Sequence, residues 1–70
     1  MNEELEAWIG GRLVVPVVEA GEQLFGLTPA ATGMRIHRGT FPIHVVTLAK
    51  GRYVTASAIR TLARELEAAS

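Results

Sequence analysis

"LTPAATGMRIHRGTFP", Leu27 to Pro42, is the stretch whose reading decides the fold. Thr28 can offer a side-chain oxygen to the first turn of a helix. Pro29 then fills the first helical position, where a missing N–H costs nothing. The helix this predicts runs to about Arg38 and stops at Gly39, because glycine enters the left-handed region without a Cβ penalty. Pro42 bars a restart. A helix this short is marginal alone, so the rest of the chain must hold it. Met34, Arg35, His37 and Arg38 lie on its surface.

Upstream, "RLVVP" (Arg12 to Pro16) is a β-branched run closed by proline and reads as a short edge strand. Pro16 opens "VVEAGEQLFG", in which Val17, Val18, Leu24 and Phe25 gather on one helical face while Glu19, Glu22 and Gln23 face water. Gly21 costs that helix about 1 kcal/mol relative to alanine and leaves room for close packing against its neighbour. Gly26 ends it, and Thr28-Pro29 starts the next helix. Two short helices joined by a glycine-containing turn form the helix-turn-helix pattern. Further upstream, "EELEAWI" predicts one or two helical turns with Leu5, Trp8 and Ile9 inward, closed by Gly10-Gly11.

Downstream, "IHVVTLAKGRYVTA" (Ile43 to Ala56) has the alternation of a hairpin. Ile43, Val45 and Thr47 alternate with His44, Val46 and Leu48, Lys50-Gly51 makes the turn, and Arg52 to Thr55 return. Its tip, "KGR", is the most basic point of the chain. A basic hairpin directly after a helix-turn-helix has the pattern of a wing that touches phosphates. Ser57 is the expected cap of a last helix, "ASAIRTLARELEAAS", with Ile59, Leu62, Ala63 and Leu66 in one apolar stripe. Trp8, Phe25, Ile36 and Leu62 are expected to be buried. Leu62, Leu66 and Ala69, where left exposed, would offer a surface for self-association.

Seventy residues make a single domain, spanning 1–70, whose core gives only a few kcal/mol. With no cysteine and no grouping of histidines with carboxylates, no disulfide, metal or cofactor is expected to add to it. A partner, either a second copy or a nucleic acid, would. The acidic N-terminus is unlike a signal peptide, and the apolar run Leu13 to Val18 is too short for a bilayer, so a cytoplasmic location without membrane contact is expected.

Formal net charge is zero, but the distribution is uneven. Glu3, Glu4 and Glu6 crowd the start. From Arg12 to Arg64, seven basic residues face only Glu19 and Glu22, a local excess of five. Nucleotide-binding, metalloprotease and nucleophile-elbow signatures are absent. Ser57 and Ser70 are the only serines, and neither His37 nor His44 has a nearby carboxylate to orient it, so the chain reads as a non-enzyme.

Taken in order, "GRLVVP", "LF", "LTP", "GTFP" and "RYV", followed by an amphipathic helix, resemble the PrtN-type pyocin activator proteins from Gly11 to about Glu67. The second half is also similar to AlpA-type regulators and small excisionases. The resemblance implies an α+β winged helix-turn-helix: short N-terminal helix, edge strand, helix-turn-helix, β-hairpin wing and C-terminal helix. It also implies sequence-specific binding of double-stranded DNA. By position, Thr32 and Ile36 match buried residues of the recognition helix, Ala30, Met34 and His37 match positions facing the major groove, and Lys50 and Arg52 match the wing. Arg35 falls near a frequently apolar position and can swing to a phosphate. With Thr28 at the helix start and Arg38 near its end, these make the candidate DNA-binding set.

Ala30 and Gly33 are small where relatives carry larger side chains, which leaves few bidentate base readers. Several copies on adjacent sites are therefore expected, joined through the edge strand at Leu13 to Val15 or through the C-terminal stripe. The expected function is a transcriptional regulator, an activator of a prophage-like gene cluster, with contact to RNA polymerase. The same residues fit an excisionase that contacts an integrase, and the zero net charge fits a protein-only antirepressor or inhibitor.

Overall fold

In the computed structural model, which describes residues 2–69, the chain folds as α1 (Asn2–Ile9), β1 (Val14–Pro16), α2 (Val17–Phe25), α3 (Pro29–Arg38), β2 (Val46–Leu48), β3 (Gly51–Thr55) and α4 (Ala56–Ala69). Met1 and Ser70, the ends of the expected domain, lie outside the described residues. α3 has the expected limits. Thr28 Oγ1 accepts the Ala31 N–H at 3.1 Å. Gly39 closes the helix at φ 73°, and Thr40 N–H reaches back to the Arg35 carbonyl at 2.8 Å. α2 ends by the same device, with Gly26 at φ 65° and Leu27 N–H on the Gly21 carbonyl at 3.1 Å.

α2 and α3 meet at Gly21 and Thr32, both buried. A Cβ on Gly21 would overlap Thr32 Oγ1 and stand 3.0 Å from its Cγ2. The glycine is thus what lets the two helix backbones approach. The hydroxyl of Thr32, fully buried in this crossing, has no hydrogen-bond partner among the described residues.

The sheet is antiparallel with strand order β1-β3-β2. β3 is shared: Thr55, Val54 and Tyr53 pair with Val14, Val15 and Pro16, while Tyr53, Arg52 and Gly51 pair with Val46, Thr47 and Leu48. β1 is an edge, as expected, though Arg12 and Leu13 stay outside it. β2 starts only at Val46. Ile43 leaves the alternation to enter the core, where it is 5% exposed. The ladder closes at Leu48 and Gly51, so the turn residues are Ala49 and Lys50 rather than Lys50-Gly51.

Strands run into helices without loops at Pro16-Val17 and Thr55-Ala56. This moves the cap of α4: Thr55 Oγ1 accepts the Ala58 N–H at 3.0 Å, and Ser57, the expected cap, sits inside the first turn. Thr55 ends an extended strand, and an extended backbone is what an N-cap needs.

The core comprises Ile9, Val15, Val17, Ala20, Ile43, Val54, Ala56 and Ile59. Trp8, Phe25, Ile36 and Leu62 are half-buried around it instead of sealed inside. A domain this small has too little interior to cover its largest side chains on every side. Phe25 meets Phe41 edge-to-face with ring centres 5.7 Å apart, tying the segment after α3 to α2. Val18, grouped by spacing with the inward residues of α2, is 43% exposed because Val17 takes the inward position beside it. The result is a small α+β fold of four helices and one three-stranded sheet among the described residues.

Candidate nucleic-acid interface

With Thr32 buried and Ile36 half-buried, α3 turns Ala30, Met34, His37 and Arg38 outward at i, i+4, i+7 and i+8, all exposed. They form one continuous face. Arg35 is also exposed but lies on the flank of that face. Thr28 Oγ1 is engaged as an acceptor by the Ala31 N–H, which leaves its O–H able to donate to a ligand at the helix start. The outward face is chemically mixed. Arg38 and His37 supply donors, and Met34 with the Ala30 methyl supplies apolar contact of the kind a thymine methyl accepts.

Lys50 and Arg52 are both exposed at the hairpin tip. By strand alternation Arg52 shares the sheet face of Val54, yet Val54 is fully buried and Arg52 is exposed.

The electrostatics separate these residues from the remaining bases. Residues 27–55, which span α3 and the hairpin, hold Arg35, Arg38, Lys50 and Arg52 and not one Asp or Glu. Among the described residues none of the four makes an ion pair. The other cations are engaged. Arg60 donates to both carboxylate oxygens of Glu6 at 2.7 and 2.8 Å, bracing α4 against α1. Arg12 donates to Glu19 at 2.7 Å and to the Ile9 and Trp8 carbonyls at 2.9 and 2.8 Å, and it sits over the Trp8 ring. Arg64 bonds the Thr61 hydroxyl at 3.3 Å.

These pairings shift titration. The hydrogen bond from Arg60 holds Glu6 below its ordinary value, and the one from Arg12 does the same for Glu19. The local excess of five read from the sequence thus counts two bases that are committed to structure. Nothing local announces the Arg60–Glu6 pair, because its partners lie at opposite ends of the chain. Arg12 carried a weak signal: a base just past a helix C-terminus suits the carbonyls left open there.

The structure brings Ala30, Met34, His37 and Arg38 onto one helix face and Lys50 and Arg52 onto one hairpin tip. Comparison with protein-family models, with curated proteins and with solved structures finds no match to this chain.

Proposed function

We propose that the protein is a winged helix-turn-helix regulator that binds double-stranded DNA in a sequence-specific manner. In this reading α2 and α3 are the helix-turn-helix and the β2–β3 hairpin is the wing. The observation that carries it is the carboxylate-free segment whose four unpaired cations all sit on α3 and the hairpin. An ordinary solvated surface intermixes both signs, whereas a phosphate-binding surface excludes acids.

α3 enters the major groove with Arg38 and His37 on base edges and Met34 and Ala30 against thymine methyls. Thr28, Arg35, Lys50 and Arg52 hold the flanking phosphates and set the register. Each good base contact gives about 1–3 kcal/mol of discrimination, short of the roughly 4–10 kcal/mol specific excess of regulators. Several copies on repeated half-sites supply the difference, joined along edge strand β1, which Leu13, 86% exposed, immediately precedes. The PrtN-type resemblance supports activation of a prophage-like gene cluster over repression.

A gel-shift titration with DNA from upstream of the protein's own operon, against random DNA of equal length, tests this. Salt-sensitive binding with preference for the upstream fragment is expected. No shift at low salt overturns it.

A further inference from the structure

Six of the chain's seven glycines are accounted for within the protein itself. Five take positive φ, and Gly21 makes room for Thr32. Gly33 has neither cause. It stands in the middle of α3 without a positive φ, and a Cβ built on it meets nothing within 4 Å beyond the helix's own backbone. Glycine is the poorest helix former after proline, and α3, at ten residues, is short enough to be marginal. Alanine would serve the free protein better at this position.

Gly33 follows Ala30 by three residues and precedes His37 by four, so it borders the outward face of α3 on the edge opposite Arg35. The surface around it carries Arg35 and Arg38, which make no ion pair among the described residues. We propose that the space beside Gly33 is filled by the sugar–phosphate backbone of bound DNA, and that this glycine is the positioning residue that sets how deeply α3 enters the major groove. The inference rests on the DNA-binding reading above and names its point of closest approach. With no Cβ in the way, a ligand can come directly against the helix backbone. α3 is then seated unevenly. On one edge Arg35 reaches a phosphate at the length of its side chain, while on the other the helix itself lies against the wall of the groove. A methyl group at Gly33 holds the helix off that wall and weakens the base contacts of Met34, His37 and Arg38 together. Random DNA, held through phosphates alone, loses little.

The test reads Tm, DNA affinity and hydroxyl-radical footprints for Gly33→Ala and Gly33→Leu in the full chain. Because the space is open in the free protein, Gly33→Ala should raise Tm by about 4–8 °C. Affinity for the upstream fragment should fall about tenfold in Gly33→Ala and further in Gly33→Leu, with less than about threefold change on random DNA. Protection of the sugars flanking the bound major groove should weaken in step. Higher stability with weaker specific binding is a combination that a purely structural glycine does not give. Unchanged specific affinity in both variants overturns the proposal and leaves the DNA reading intact. A lower Tm in Gly33→Ala also overturns it, since the glycine would then serve packing. So does an oligomer of the free protein that Gly33→Ala dissociates, because the space would belong to a second copy. Failure of the parent chain to bind DNA at all would instead overturn the DNA reading, and this inference with it.

Discussion

The α1–α4 side of the molecule, with α2 beside it, and the α3–hairpin side are built on opposite terms. The first carries all seven carboxylates of the chain and uses two of them to clamp arginines: Glu6 on Arg60 and Glu19 on Arg12. Its contribution to the core is a set of sealed residues, Ile9 and Ile59 among them. The second has no Asp or Glu, four cations that make no ion pair among the described residues, and a helix with one fully buried side chain, Thr32. α3 is held by shape, through the glycine that admits Thr32, while the helices opposite are held by burial and charge pairing. On the α3–hairpin side the cations stand without carboxylate partners, whereas on the opposite side two arginines are paired and the pairs serve cohesion.

The largest expected effect lies on the α1–α4 side. Ile59→Ala, at a fully buried position, should cost about 2–5 kcal/mol, on the order of the whole stability of so small a domain. Ile36→Ala, half-buried on α3, should cost clearly less by chemical denaturation. Equal losses would break the distinction between the two sides. Next comes Gly21→Ala. The added methyl should cost about 1–3 kcal/mol by overpacking, despite the better helix propensity of alanine. If shape alone holds α3, Thr32→Ala in the same chain should recover much of the Gly21→Ala loss, and a double-mutant cycle with no coupling would refute that.

Lys50→Ala with Arg52→Ala should leave thermal stability unchanged and weaken specific and random DNA alike. The log–log salt slope should flatten by about 0.9 for each phosphate that is no longer neutralised. An unchanged slope would return the hairpin to the status of a solvated tip. The smallest effect is pH dependence. Glu6 and Glu19 titrate below the ordinary 4.5 in the folded protein, so the unfolded chain takes up their protons first. Their stabilisation is complete above that value and disappears as pH falls through and below it. Arg60→Ala should reduce the drop in Tm between neutral and acid solution, and a drop as steep as that of the parent would mean that the pair contributes nothing.

What was legible in the sequence followed how local each cause is. Thr28, Pro29 and Gly39 fix α3 from within a few residues, and both ends fell where those residues put them. The crossing at Gly21 was also readable, because an interior glycine in an otherwise favourable helix needs a reason. Ser57 misled because its type suits a cap, while the observed cap, Thr55, depends on where strand pairing with β1 stops. Trp8 and Leu62 are apolar at inward spacing, yet how far they are covered depends on how α1, α2 and α4 come together, which spacing does not encode. In the candidate site, exposure of the α3 face followed from the inward positions that the resemblance implied for Thr32, which is buried, and Ile36, which is half-buried. Which cations stay unpaired did not, since the Glu6–Arg60 pair forms only once α1 and α4 come together.

The ladder between β1 and β3 joins Val15 to Val54 across most of the chain, whereas α2 and α3 are neighbours through Gly26 to Thr28. The time order of folding follows from that difference. Closing a long loop costs entropy before any contact compensates, so the helix pair can assemble early and the β1–β3 ladder must come late. Substitutions at the Gly21–Thr32 crossing should therefore slow refolding. Those at Val14 or Val15 should mainly hasten unfolding, making the β1 edge the place where the native state first opens.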